Sequence, residues 1–158
     1  NEKDLIYAVG HTSDKKIHSI WFIYGSIYAA KEETYARFKD TISQGIKTIP
    51  NVVFSETKEL GRVNSVDPLG ITNLRIRGMW QIENPRKVFE YIHKTNENLF
   101  ELVAIVPEQK YNSFPEQSRV KIERNKQVSL GNTKVKDPNN PANLISVLVI
   151  KYLLSLNK

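Results

Sequence analysis

The sequence predicts an α+β fold in which helices pack on one antiparallel sheet. Several β-branched and aromatic stretches, separated by turn-forming residues, indicate strands, and two segments have helical or wholly apolar character. The chain has 158 residues, of which 40% are hydrophobic and 25% charged, so it is long enough to bury a core. We therefore predict a single α+β domain over residues 1–158, with about six to seven strands in one sheet.

The N-terminal part predicts two strands and an amphipathic helix. Asp4–Val9 and Ile17–Ile27 are rich in aromatic and β-branched residues, and a turn-forming segment separates them. Apolar residues then recur at helical spacing at Tyr28, Tyr35, Phe38 and Ile42. A helix is therefore expected over Ala29–Gln44, with Gly45 ending it.

The middle of the chain predicts three strands, a loop and a short helix. Asn51–Ser55 follows a proline and is expected to form a strand. Gly61–Gly70 is rich in the turn-forming residues Gly, Asn, Ser, Asp and Pro and is expected to form a long loop. Leu74–Ile82 alternates apolar and polar residues, which is typical of a half-buried strand. The pair Asn84-Pro85 supplies an N-cap and a proline at the first helical position, which predicts a short helix from Pro85 to about Lys94. Leu99–Val106 is continuously apolar, which indicates a central strand with both faces covered.

The C-terminal third predicts a basic hairpin followed by a buried helix. Glu116–Lys136 alternates apolar and charged residues, and Gly131-Asn132 suits a tight turn because both residues tolerate positive φ. Leu144–Leu156 is apolar on nearly every face, yet shorter than the roughly 20 residues that a bilayer requires. We expect it to be a buried C-terminal helix packed on the sheet. Profilin-like, SNARE-like and helix-grip folds share this outline.

The net charge of +6 favours a polyanionic partner. Residues 1–60 contain eight basic and eight acidic groups, whereas residues 61–158 contain fifteen basic and nine acidic groups. We predict a non-enzymatic module that binds nucleic acid through the Arg and Lys residues of 75–136. The predicted contact residues are Arg75, Arg77, Arg86, Lys87, Arg119, Lys121, Arg124, Lys134, Lys136 and the loop aromatic Phe114.

A protein–protein interaction domain within a larger assembly is the first alternative. The chain begins with Asn rather than Met, which suggests a piece excised or processed from a longer chain. The apolar C-terminal segment would suit a partner chain. No cofactor and no membrane span are expected. The absence of cysteine excludes disulfides and thiolate sites and is compatible with an intracellular compartment.

Residues Glu56-Thr57-Lys58 follow an apolar strand and suggest a second alternative. This triplet resembles the ExK half of the PD-(D/E)xK nucleases. In that family a strand presents the carboxylate to Mg²⁺ and the lysine to the attacking water. The resemblance implies a metal-dependent nuclease using Glu56 and Lys58, with Asp40 as the other metal ligand, although Asp40 falls on the predicted helix.

The triplets His11-Thr12-Ser13 and His93-Lys94-Thr95 resemble the paired motifs of the 2H phosphoesterases. In that family each histidine acts as an acid or base and each hydroxyl holds phosphate. The family's triplets lie within apolar strands, whereas His11 here opens a turn and His93 ends a helix. We therefore interpret both as surface histidines and expect no catalytic group there.

Overall fold

The computed structural model describes residues 4–50, 53–54, 59–96 and 99–154. Its contacts divide the chain into two compact units. The first, here called the sheet unit, comprises residues 1–31 and 83–158, and the second, the inserted unit, comprises residues 32–82. That the whole chain acts as one domain stays a prediction.

The sheet unit holds five strands and three short helices. The strands are β1 (Ile6–Ser13), β2 (Lys16–Tyr24), β6 (Phe100–Pro107), β7 (Val128–Lys136) and β8 (Leu144–Leu154). The helices are α2 (Pro85–Val88), α3 (Glu108–Asn112) and α4 (Glu116–Glu123), with a 3₁₀ turn at Gly25–Ile27. The inserted unit holds α1 (Glu32–Lys47), β3 (Val53–Phe54), β4 (Gly61–Asn64) and β5 (Leu74–Ile76).

The five strands form one sheet in the order β1-β2-β6-β8-β7. β2 and β6 run parallel, and the other neighbouring pairs are antiparallel. The α+β prediction is confirmed, but the prediction of a purely antiparallel sheet is wrong. Parallel neighbours need a long crossover, and here the inserted unit and α2 lie in the sequence between β2 and β6.

β6 lies at the centre of the sheet, as its continuous apolar sequence predicted. On one face, Val103 and Ile105 are fully buried in a cluster with Trp21 and with Phe89 from the segment after α2. On the other face, Val106 packs in a smaller cluster beneath α3 and α4, with side chains including Tyr111, Ile122 and Leu148. Because side chains alternate along a strand, both faces of β6 are covered.

The predicted N-terminal strands and the two helices that follow them are present, but α2 ends at Val88 rather than near Lys94. β1 and β2 join through Asp14 and Lys15, which have φ values of 48° and 62° as a tight hairpin requires. α1 begins and ends slightly later than predicted. α2 begins at Pro85, where the Asn84 side chain accepts a hydrogen bond from the Arg86 N–H at 2.9 Å. None of the described helices has the length and apolar character needed to cross a membrane.

The predicted C-terminal helix is wrong, because Leu144–Leu154 forms β8 between β6 and β7. Val147 and Val149 face one cluster and Leu148 faces the other, so the segment is apolar throughout. A segment that is buried on both faces is apolar at almost every position, so its hydrophobic periodicity cannot distinguish a helix from a strand. The Asn140-Pro141 pair lies in the turn between β7 and β8, where the Asn140 side chain accepts a hydrogen bond from the Ala142 N–H at 3.2 Å.

The predicted hairpin over Glu116–Lys136 is also wrong. Its first half is helix α4, which follows Pro115, and its second half is the continuous strand β7. Gly131 and Asn132 lie within β7, opposite Val149 and Leu148 of β8. The strand that pairs with β7 is therefore β8, which follows it in the chain. A prediction from the turn propensity of Gly131-Asn132 alone places the partner strand before the turn instead.

In the inserted unit, β3, β4 and β5 form a three-stranded antiparallel sheet. β4 occupies Gly61–Asn64, where a loop was predicted. The strand predicted over Leu74–Ile82 is reduced to Leu74–Ile76, and Met79 beyond it is 95% exposed. Alternation of apolar and polar residues therefore continued past the end of the hydrogen-bonded ladder.

We expect Trp21→Ala to destabilise the protein by about 3–5 kcal/mol, because the side chain is fully buried and its loss leaves a cavity. Trp80→Ala is the matched control, since Trp80 is 64% exposed, and it should cost less than about 1 kcal/mol. Urea denaturation followed by circular dichroism measures both. Equal effects would contradict the assigned core.

Candidate nucleic-acid interface

Five of the predicted contact residues lie on neighbouring elements of the sheet unit. Arg119 and Lys121 are on α4, Arg124 caps its C-terminus, and Lys134 and Lys136 are on β7. Ile122 packs α4 against the cluster of Val106 and Leu148. Lys134 and Lys136 alternate with the buried Val135 and so point to the same side of the sheet as α4. We call these five residues the α4–β7 basic surface.

Arg86 and Lys87 lie on the other side of the sheet. They belong to α2, and Phe89, which follows α2, packs on the face of the sheet formed by Trp21 and Val103. Lys87 also approaches the Glu83 carboxylate at 3.8 Å. The basic residues of the sheet unit are therefore divided between its two faces.

Phe114 is half-buried rather than exposed in its loop. Its ring packs against Tyr111 with centroids 5.8 Å apart and contributes to the cluster beneath α3 and α4. Packing accounts for this residue, and a role in stacking on a base stays a prediction.

Arg75 and Arg77 belong to the inserted unit and share one carboxylate. Arg75 binds Glu59 through two parallel contacts, Nε to Oε2 at 3.0 Å and a terminal guanidinium nitrogen to Oε1 at 2.7 Å. Arg77 Nε donates to Oε1 at 2.5 Å. These hydrogen bonds, first from Arg75 and then from Arg77, lower the pKa of Glu59 from 4.5 to about 2. Sequence reasoning missed Glu59, which lies outside any predicted strand.

Of the three residues of the nuclease hypothesis, the structure describes Asp40 alone, so their proximity stays a prediction. Asp40 is exposed in the middle of α1. Glu56 and Lys58 lie outside the described residues. Over residues 4–50, 59–96 and 99–154, no three His, Asp or Glu side chains are grouped so that they would hold a metal ion.

His93 is mostly buried, contrary to the surface position predicted for it. Its Nε2 lies 2.8 Å from a carboxylate oxygen of Glu101, which is 3% exposed, and its ring lies beside Trp21 at 5.9 Å. His11 and His18 are half-buried on β1 and β2, with ring centroids 5.6 Å apart. The sequence did indicate a buried polar contact at this position, because Glu101 is the only charged residue in an otherwise apolar strand and a buried carboxylate needs a partner.

The pairing of Glu59 with Arg75 and Arg77 should make the stability of the inserted unit depend on pH in the acidic range. Because the folded pKa lies below the ordinary value of 4.5, the pairing stabilises the fold fully above about pH 4.5 and is lost as pH falls toward 2. Carbon-13 NMR titration of the Glu59 carboxyl carbon should give a midpoint near 2. A midpoint near 4.5 would show that Arg75 and Arg77 do not lower the pKa of Glu59.

Removing the His93 imidazole should leave the buried Glu101 without this hydrogen-bond partner. We expect His93→Ala to lower the free energy of unfolding by about 1–3 kcal/mol. Lys94→Ala, at the exposed neighbouring position, should change it by less than about 0.5 kcal/mol. Chemical denaturation compares the two variants, and equal stabilities would contradict a structural role for the pair.

Comparison with known proteins identifies the family. The sequence profile described as NgoPII restriction endonuclease matches residues 1–136. The type II restriction enzyme NgoPII of Neisseria gonorrhoeae is 45% identical over 155 residues, which cover 97% of this chain and 56% of that enzyme. The chain thus spans little more than half the length of this relative. No solved structure matches the chain.

These matches overturn the prediction of a non-enzymatic module. A restriction endonuclease is a DNA-cleaving enzyme, so a hypothesis without catalysis does not describe the family. The nucleic-acid part of the prediction agrees with the family, because such enzymes bind DNA as substrate. The sequence contained the nuclease alternative, but it rested on one short triplet. The chain belongs to the NgoPII restriction endonuclease family.

Proposed function

We propose that this chain is part of a DNA-cleaving restriction endonuclease and that its basic residues hold the DNA backbone. The observation that carries the proposal is the family match over residues 1–136, together with 45% identity to a type II restriction enzyme. The positive charge of the chain supports it independently, since a duplex presents a dense row of phosphates.

The α4–β7 basic surface is the part of the sheet unit that best suits a phosphate backbone. Its side chains come from α4, which packs on β6 and β8, and from β7, which pairs with β8, so they present several cations on one side of the sheet. Arg86 and Lys87 lie on the opposite face. The DNA backbone is therefore proposed to bind the α4–β7 basic surface. Arg86 and Lys87 of α2, on the opposite face, serve as the control positions.

Cleavage of a phosphodiester requires an activated water and groups that stabilise charge on the phosphate. The resemblance to PD-(D/E)xK nucleases makes Glu56 and Lys58 the proposed catalytic pair, with Asp40 as the proposed second carboxylate. A divalent ion in such a site would supply a Lewis acid for the phosphate oxygen. Among the described residues there is no group of three His, Asp or Glu side chains that could hold such an ion.

The double variant Lys134→Gln/Lys136→Gln should weaken binding to duplex DNA and make it less dependent on salt. Each lost phosphate contact should reduce the slope of log affinity against log salt by about 0.9, so the pair should reduce it by about 1.8. Fluorescence anisotropy with labelled duplex DNA measures this change. Arg86→Gln/Lys87→Gln removes the same charge from the other face and should change the slope by much less. Equal slopes for both double variants would contradict the assigned surface.

Glu56→Gln and Lys58→Met should each reduce cleavage of long duplex DNA by at least about 100-fold, because each removes a group proposed to act on the reacting water or phosphate. DNA binding should be retained. Glu33→Gln, at an exposed position on α1, is the control and should leave cleavage unchanged. Full cleavage by either variant would rule out this catalytic pair.

A further inference from the structure

Two arginines of the inserted unit face each other across neighbouring strands. Arg62 of β4 and Arg75 of β5 are direct partners in the antiparallel ladder. Direct partners project to the same face of a sheet, where like charges repel. Such a pair is unfavourable unless an anion lies near both side chains.

Glu59 compensates this charge only in part. It binds Arg75 and Arg77 together, with its side chain 11% exposed, while the two arginine side chains remain 55% and 66% exposed. Among the described residues, no carboxylate contacts Arg62, and its buried Nε–H has no hydrogen-bond acceptor. Two guanidinium groups therefore share one carboxylate, while Arg62, the ladder partner of Arg75, has a buried Nε–H that is unsatisfied.

A cleft lies beside this cluster within the inserted unit. It has a volume of about 430 Å³, and its lining includes Lys39 of α1, Arg77, Met79 and Trp80. Trp80 packs edge-on against Tyr35, with ring centroids 5.2 Å apart, yet remains 64% exposed. The cleft is thus lined by two cationic side chains, the Glu59 carboxylate and an exposed aromatic ring that is held in place.

We propose that Arg62, Arg75 and Arg77 form a binding site for a DNA backbone phosphate, with Glu59 as the residue that positions the guanidinium groups. This proposal rests on the proposed function and adds a second DNA contact, on the inserted unit. A phosphate oxygen between Arg62 and Arg75 supplies the missing acceptor and offsets the repulsion between the two side chains. Trp80 lines the adjoining cleft together with Arg77, and there it contacts the sugar or base beside that phosphate.

The chemistry of the cluster favours a phosphate ligand over other anions. Planar guanidinium groups pair with phosphate through two parallel hydrogen bonds, which lysines cannot do. The carboxylate that pairs with Arg75 is already supplied by Glu59, and it fixes Arg75 and Arg77 before a ligand arrives. A preorganised site of this kind loses little conformational entropy when it binds.

The test compares Arg75→Gln with Arg37→Gln in the full chain. Both substitutions remove one exposed arginine from the inserted unit, but Arg37 lies on α1 beside Phe38 and outside the cluster. We expect Arg75→Gln to weaken binding to a mixture of duplex DNA oligomers by about tenfold near 100 mM salt and to reduce the salt slope by about 0.9. Arg37→Gln should change affinity less than about twofold.

A conservative variant separates loss of charge from loss of geometry. Arg75→Lys should keep most of the salt slope but lose several-fold in affinity, because an ammonium group cannot form the paired contact. Circular dichroism confirms that each variant is folded. DNA should also quench the fluorescence of exposed Trp80, and this change should disappear in Trp80→Phe because Trp21 is fully buried.

The outcomes distinguish failure of the arginine site from failure of the proposed function. If the unsubstituted chain binds DNA and Arg75→Gln binds it equally well, the arginine site is wrong while the proposed function stands. If inorganic phosphate competes as effectively as DNA at equal phosphate concentration, the site holds a free anion rather than DNA, and the proposal fails. If the unsubstituted chain binds no DNA at low salt, both proposals fail.

Discussion

The parallel pairing of β2 with β6 determines how the sheet unit and its connections are arranged. It places Trp21 beside Val103 and Ile23 beside Ile105 in one register, and all four side chains are fully buried. Parallel neighbours cannot be joined by a tight turn. The chain must therefore leave the sheet after β2 and return at β6, and the whole inserted unit lies within that connection.

The same arrangement decides which cations lie on a common surface. Since β6 is covered on both faces, α2 and α4 pack on opposite sides of the sheet. The basic residues that are close in the sequence, at 86–87 and 119–136, are therefore separated by a layer of buried side chains. Charge counted along the sequence indicates the class of partner, but only the packing of the strands shows which residues can contact the same molecule.

The local features of this fold were largely predictable from the sequence. The apolar run in β6, the helical spacing in α1 and the Asn84-Pro85 start of α2 each depend on residues close together in the chain. The failures at β7 and β8 have a common cause, since each strand is fixed by pairing with a segment outside the stretch from which it was predicted. Gly131 and Asn132 suit a turn locally, but β8 pairs with them and keeps them extended.

The site was less predictable than the fold. Arg75 and Arg77 were identified from their alternation, but their partner Glu59 and the opposite residue Arg62 require the register of β4 and β5. His93 and Glu101 are also brought together only by the packing of the α2 segment on the sheet. The enzymatic nature of the family was indicated by one three-residue pattern, which occurs too often by chance to outweigh charge and composition.

Hydrogen exchange of the chain with and without duplex DNA locates the DNA on the protein without altering any residue. If DNA binds the α4–β7 basic surface and the arginine site, exchange should be slower in α4, β7 and the β4–β5 ladder, with the buried amides of β6 unchanged. Protection confined to the α2 face, with no change in α4, β7, β4 or β5, would contradict this placement of the DNA.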